Sequence, residues 1–185
     1  MVINLKHDPR KILNEIRNHE ITSLNLLLPD GHHESLPPGK ESLSDEKYGL
    51  WLTEFFSVWY SEYQEIEIPF FEEIINLMMG GVSSSEEIGA KSVDLIVVET
   101  NGDIEAVDTL KTVGRKATSL ELNLTENSFD DALKHPAIYS RMSGYNSLCE
   151  DCKSCSFVES CGGGYIPHRY SNNKGFINPS LYCSD

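Results

Sequence analysis

Residues 1–148 contain no cysteine, and no part of the 185-residue chain approaches the ~20 consecutive apolar residues of a transmembrane helix. A membrane-spanning helix is therefore not expected. The opening MVINLKHDPRK lacks the apolar core of a signal peptide, so the expected location is the cytoplasm. Basic residues are scarce: 15 Lys and Arg stand against 29 Asp and Glu, for a net charge of −14. Such a chain repels a phosphate backbone, and with no basic stripe to offset this, nucleic acid is not an expected partner. A Ser/His/Asp triad pattern, a P-loop, a dinucleotide fingerprint, internal repeats and low-complexity tracts are also missing from the sequence.

The negative charge is concentrated. Residues 41–73 hold nine carboxylates (Glu41, Asp45, Glu46, Glu54, Glu62, Glu65, Glu67, Glu72, Glu73) against one basic residue, Lys47. This run reads as a solvated face that keeps the protein soluble; the alternative is a surface that attracts a basic peptide or subunit.

The first half reads as two β/α units. Val2-Ile3-Asn4-Leu5 is a short apolar run, and Asp8-Pro9 follows it with a capping residue and a first-turn proline. Ile12, Leu13 and Ile16 recur at helical spacing, and ITSLNLLL (21–28) has the density of a buried parallel strand. Residues 29–44, with Pro29, Gly31, His32, His33, Pro37, Pro38 and Gly39, form a long polar loop of the kind that carries function. Metal ligation by His32 and His33 is disfavoured, because neighbouring side chains diverge and no third ligand lies nearby in sequence.

Tyr48, Trp51, Leu52, Phe55, Phe56, Trp59 and Tyr63 make an aromatic stripe at i, i+3, i+4 spacing, which predicts a core helix over 45–63. A second helix is expected over 70–79, stopped by Gly80-Gly81. The pattern changes near residue 92. Residues 92–99 are β-rich, Asn101-Gly102 supplies a turn and residues 104–108 return, which predicts a hairpin; two short helices over 128–135 and 136–143 should follow.

All five cysteines, Cys149, Cys152, Cys155, Cys161 and Cys183, crowd into the last 37 residues. Odd in number and closely spaced, they argue for metal ligation over a disulfide framework. Cys152, Cys155, Cys161 and Cys183 give C-x2-C-x5-C-x21-C, with Cys149 one C-x2-C step upstream. The Gly162-Gly163-Gly164 run permits the positive φ that a chain wrapping closely round a metal centre needs. Four soft ligands suit an iron–sulfur cluster or zinc, and spacing alone does not choose between them.

Together with VDLIVVETNGDIEAVDTLK, His135-Pro136 and the words PHRY and GFxNPSxYC, this tail resembles the auxiliary-cluster (SPASM) domain of radical SAM peptide-modifying enzymes, in their FxsB-like branch. Residues 2–80 resemble the last barrel units of the same proteins. The resemblance implies an α/β fold: a partial (β/α) barrel fragment over 1–91, then a SPASM-type auxiliary iron–sulfur domain with a β-hairpin over 92–185. It also implies one [4Fe–4S] cluster on Cys152, Cys155, Cys161 and Cys183, with Cys149 as a fifth, alternative ligand or a local thiol. The family's second cluster takes ligands at positions that are Val107 and Tyr165 here, so it is expected to be absent.

In this family SAM is cleaved at a C-x3-C-x2-C cluster early in the barrel, and residues 1–148 supply no such motif. SAM is thus not expected to be bound or cleaved by this chain alone. The expected partners are a separately encoded radical SAM half, or a second copy of the chain, and a ribosomal precursor peptide. A zinc-stapled binding module and a degenerate fragment are the alternatives. His168 is read as a packed loop histidine, with cluster tuning or ligation as its other roles. Arg169 caps the loop or binds a substrate carboxylate, and Glu99 and Asp108 flank the hairpin turn as surface charges or an acid/base pair.

Overall fold

The computed structural model describes residues 1–83, 85–92, 95–114 and 116–185. Its first helix, α1 (Pro9–Asn18), starts as the sequence predicts: Pro9 occupies the first turn and the Asp8 carboxylate accepts the Lys11 N–H at 3.0 Å. The aromatic stripe folds as α2 (Lys47–Glu62), and α3 (Pro69–Met78) follows. Tyr48, Trp51, Phe55 and Trp59 are buried from α2, with Tyr63 just beyond it. Each apolar side chain so buried contributes about 1.5–3 kcal/mol. The two tryptophans keep their indole N–H groups satisfied by backbone carbonyls, Trp51 on His7 at 2.8 Å and Trp59 on Ile66 at 2.7 Å.

The expected strands near residues 2–5 and 21–28 pair in parallel, through isolated bridges: Val2 with Leu27, and Ser23 with Glu67. Four hydrogen bonds carry the pairing, Ile3 N to Leu27 O, Leu27 N to Met1 O, Leu24 N to Glu67 O and Glu67 N to Thr22 O, at 2.8–2.9 Å. Three extended segments therefore lie side by side. Thr22 and Leu24 bond residue 67, and Asn25 and Leu27 bond residues 1–3. Val2, at the end of the ladder, is 58% exposed.

The hairpin forms a three-stranded antiparallel sheet in the order β1 (Val97–Val98), β2 (Asp103–Glu105), β3 (Ser119–Asn123). The expected β-rich run 92–99 is thus reduced to two residues of strand, and its Val93 and Asp94 lie outside the described residues. Gly102, at φ 86°, makes the turn. The two expected short helices are α4 (Phe129–Ala132) and α5 (Pro136–Met142).

Two apolar cores result. One gathers Ile3, Leu13, Leu26 and the α2 aromatics; the other gathers Ile104, Leu110 and Leu120 with Ala132 and Ile138. The first core also takes Leu181 and Tyr182 from the C-terminal tail. The loop over 29–44 is the seam along which that tail docks. Pro29 O accepts the Tyr182 hydroxyl at 2.8 Å, His33 N–H donates to Tyr170 O at 3.0 Å, and Glu34 accepts the Asn172 N–H at 2.8 Å.

Candidate metal centre

Two single helical turns shape the cysteine segment. α6 (Glu150–Lys153) takes Cys149 as its cap residue and carries Cys152, and α7 (Val158–Cys161) ends on Cys161. Cys155 lies between them, its N–H bonded to Cys152 O at 3.1 Å. Gly162, Gly163 and Gly164 follow with φ of 63°, 81° and 69°. Three left-handed residues in a row suit glycine alone. They bring the N–H groups of Gly163 and Gly164 near enough to act on the Cys161 thiol, and Gly164 N–H donates to Cys161 O at 3.0 Å. Phe157 N–H likewise donates to Cys155 Sγ at 3.4 Å.

Gly162 is further fixed by a neighbour: a Cβ there would lie 2.0 Å from the Gly89 carbonyl carbon. Gly89 N–H in turn donates to Ser160 O and Cys161 O, both at 3.1 Å. Cys183 arrives from the tail, beside Leu181 and Tyr182 in the first core.

The thiols are free and lie within electrostatic reach of one another. Burial, then hydrogen bonding to Cys149, pushes Cys152 up to about 12. Cys161 is raised by burial and by Cys155, while the Gly163 and Gly164 N–H groups and the Arg169 guanidinium pull it down. Cys183 is raised by burial and then by Cys161, Cys155 and Cys149. Among the described residues, no three Cys, His, Asp or Glu side chains close into a ready-made metal cage.

The residues nevertheless suit an anionic thiolate centre in kind: soft donors, peptide N–H groups aimed at sulfur, and a buried cation beside them. That cation is Arg169, 2% exposed, whose Nε has no hydrogen-bond partner and whose charge acts on Cys152, Cys149 and Cys161. Arg169 therefore faces the cysteines, a placement neither of its sequence readings anticipates.

The other sequence candidates fall elsewhere. His168 is packed edge-on between Tyr165 and Tyr182, at centroid distances of 5.2 and 4.9 Å. Burial lowers its pKa to about 4, against the Pro29 carbonyl, which raises it. His33 Nε2 lies 2.9 Å from Pro179 O and His32 packs edge-on against Tyr170, so both histidines serve the tail seam. Asp108 pairs with Lys111 at 2.9 Å and Glu99 acts on the same ammonium, which makes them surface charges around one lysine. Val107 is buried in the second core and Tyr165 packs on His168. Arg141, buried at 4% exposure and paired with Glu86, carries no signal in the sequence, where it is one basic residue near the end of a short helix.

Comparison with known proteins follows the same lines. The chain matches no protein-family profile. Over 145 residues, 77% of its length, it is 23% identical to a cysteine-type anaerobic sulfatase-maturating enzyme of Clostridium perfringens strain 13, of which the match covers 38%. The corresponding enzyme of strain ATCC 13124 is 22% identical over 145 residues. Among solved structures, native anSMEcpe with bound AdoMet superposes on 98% of this chain with a TM-score of 0.70 and 20% identity. The same protein with bound AdoMet and Cp18Cys peptide gives a TM-score of 0.70 at 19% identity. The chain spans about half the length of these structures, 50% and 51%. Its fold is that of a part of such an enzyme.

Proposed function

We propose that this chain is the auxiliary, cluster-bearing half of a radical SAM/SPASM-type peptide-modifying enzyme of the FxsB-like branch. The observation that carries the reading is the coincidence of two things in one tail: the C-x2-C-x5-C-x21-C thiols within reach of one another, and a fold shared with half of an AdoMet-binding enzyme. Cys152, Cys155, Cys161 and Cys183 hold one [4Fe–4S] cluster, the N–H groups of Phe157, Gly163 and Gly164 support the sulfurs, and Arg169 offsets their negative charge. When bound, such a cluster supplies a one-electron redox site whose potential follows burial and hydrogen bonds to sulfur.

SAM cleavage belongs to a separately encoded half working in trans, and the substrate is a ribosomal precursor peptide that receives a carbon-based cross-link. The short parallel ladder ending at exposed Val2, and the exposed Met78 at the end of α3 with Met79 and Val82 beyond it, support a covering partner. Residues 1–91 then form the last β/α units of a barrel completed by that partner, and residues 92–185 the auxiliary domain.

Anaerobic purification with iron, sulfide and zinc analysis tests the cofactor: about four irons and four sulfides per chain, with a brown chromophore near ~400 nm, are expected. One zinc without colour, after failed reconstitution, overturns it in favour of a zinc-stapled binding module. Mixing the loaded chain with a SAM-cleaving half and precursor peptide tests the activity. Loss of two hydrogens' mass from the peptide, only when both halves are present, is the expected result.

A further inference from the structure

The four-cysteine motif takes four of the five thiols in the tail and leaves Cys149 over. Cys149 occupies the cap position of α6 in extended backbone, φ −69° and ψ 163°, and its side chain makes no cap bond. Its carbonyl accepts the Lys153 N–H at 3.0 Å, which closes one helical turn. Cys152, three residues on, therefore lies on the same face of that turn. Helical rise and radius set Cα atoms three residues apart at about 5 Å. That separation falls inside the span of about 4.4–6.8 Å that a disulfide bridges. The side chains meet as well: Cys149 is the side-chain hydrogen-bond partner of Cys152, whereas Cys161 and Cys183 act on Cys152 through charge alone.

The two thiols differ in access. Cys152 is 8% exposed, while Cys149 is half-buried and lines a cavity of about 550 Å³ together with Leu148, Lys153, Lys174 and Ile177. Cys149 is the one cysteine on that cavity, which Cys152 does not line. Ligand pockets run from about 300 to 1,000 Å³, so a small disulfide has room to reach the Cys149 sulfur. An accessible thiol with a buried thiol one helical turn away is the arrangement that thiol–disulfide exchange uses: the first sulfur attacks and the second resolves.

We propose that Cys149 and Cys152 are a redox-active dithiol that exchanges with low-molecular-weight disulfides through this cavity. The Cys149 thiolate attacks one sulfur of the incoming disulfide RSSR, its S–S bond breaks, and RS⁻ leaves with the bonding pair. The Cys152 thiolate then attacks Sγ of Cys149, the Cys149–Cys152 bond forms and the second RS⁻ departs. Two protein thiols are oxidised by two electrons, one RSSR is reduced to two RSH, and the two cysteine protons end on the departing thiolates. The exchange itself needs no cluster. Its consequence rests on the function proposed above: a disulfide at Cys152 withdraws that sulfur from the four-cysteine set, so cluster assembly on the empty chain follows the thiol–disulfide balance around it.

The test uses the full chain, metal-free and anaerobic, in mixtures of 2-mercaptoethanol and its disulfide, quenched with iodoacetamide and digested with trypsin. Residues 142–153 then form one peptide that holds Cys149 and Cys152 and no other cysteine. By mass spectrometry that peptide should appear unalkylated and two hydrogens lighter. At a fixed ratio of thiol to disulfide, diluting both about tenfold should raise the ratio of closed to open pair about tenfold, because closure releases two RSH for each RSSR, while adducts on single cysteines stay constant. Cys152→Ser should stop at a mixed disulfide on Cys149, and Cys149→Ser should carry no adduct on Cys152. The dilution series needs no variant, should either fail to fold. Absence of the two-hydrogen loss, or a disulfide that joins a different pair of cysteines first, overturns the proposal. The iron-loaded chain separates this result from the cluster assignment, because there the peptide should stay open. Closure with about four irons retained would remove Cys152 from the ligand set and leave the exchange site standing; about four irons taken up by a chain whose pair never closes would overturn the exchange site and leave the cluster.

Discussion

Asp185 caps a helix that begins more than a hundred residues before it: its Oδ1 accepts the N–H groups of Tyr48 and Gly49, both at 3.0 Å, while Oδ2 pairs with Lys40. α2 receives no side-chain cap from Glu46, its own flanking residue. The Asp185 carboxylate supplies it instead, at the positive end of the helix dipole. Because Asp185 follows Cys183 by two residues, the same contact fixes the end of the cysteine tail to the aromatic core.

Removing that carboxylate should therefore cost more than an ordinary cap. Lys40 and Asp185 are 1% and 3% exposed at their side chains, so Asp185→Ala leaves a buried ammonium with the Asp45 carbonyl but no counter-charge, and two helix N–H groups without their cap. Loss of one member of a buried pair costs about 3–5 kcal/mol. Urea unfolding should show a fall of that order, and a smaller fall in Lys40→Met/Asp185→Leu, which removes both charges. A double variant no better than the single would show that the cap, and not the stranded charge, dominates.

The aromatic stripe predicts a stability effect from the other side of the same helix. Phe55 is fully buried and packs against Trp51 and Phe71 at centroid distances of 5.1 and 6.1 Å. Phe55→Ala should cost about 3–5 kcal/mol through lost burial and the cavity left behind. Leu50, 67% exposed on the same helix, should change stability by less than about 0.5 kcal/mol on substitution by alanine. Comparing their unfolding midpoints checks the orientation of α2.

These contrasts show what could be read from the chain. Periodicity gave away α2 because an amphipathic stripe is written in neighbouring residues, and Asp8-Pro9 and Asn101-Gly102 marked a helix start and a turn for the same local reason. The Lys40–Asp185 pair and the Arg141–Glu86 pair join residues far apart in sequence, with nothing local to announce them. The 29–44 loop was legible as a loop; its role as the dock for residues 170–182 depends on contacts that only folding brings together. In the tail, cysteine spacing identified the thiols, but the buried cation beside them rests on how α7 and the Ile166–Arg169 turn pack.

His168 makes acid stability sensitive to one ring. Its pKa is about 4 in the folded chain, lowered by burial from the ordinary 6.5. Above pH 6.5 both folded and unfolded states are neutral and the residue contributes no pH dependence. Below it the unfolded chain takes up a proton that the folded chain refuses, so stability falls as pH drops from about 6.5 to about 4, by roughly 3 kcal/mol in all. The lowered carboxylates Glu62 and Asp131 act at lower pH, where protonation removes what their partners contribute. Unfolding curves of His168→Gln should be flatter than those of the unaltered chain between pH 6.5 and 4; an unchanged slope would refute the assignment.

Gly162 should tolerate no side chain. Its φ of 63° strains any L-residue, and a Cβ would lie 2.0 Å from the Gly89 carbonyl carbon, which is backbone and has little room to retreat. Gly162→Ala should lower the unfolding temperature and reduce iron uptake together, because Gly163 and Gly164 would lose their aim at Cys161. Gly114, where a Cβ meets nothing within 4 Å, serves as the control and should change neither.

The cysteines themselves separate by role. Cys161 is raised by burial, while the Gly163 and Gly164 N–H groups and the Arg169 guanidinium act the other way and favour negative charge on its sulfur. Cys149 occupies the cap position of α6 without a side-chain cap bond and raises Cys152, so its removal perturbs a neighbour without deleting a member of the four-cysteine motif. After anaerobic reconstitution, Cys161→Ala should retain background iron only, whereas Cys149→Ala should keep about four irons per chain and the same visible spectrum. The reverse pattern would move the ligand set one C-x2-C step upstream, onto Cys149, Cys152 and Cys155. Full retention of iron in both variants would mean that neither sulfur holds the iron.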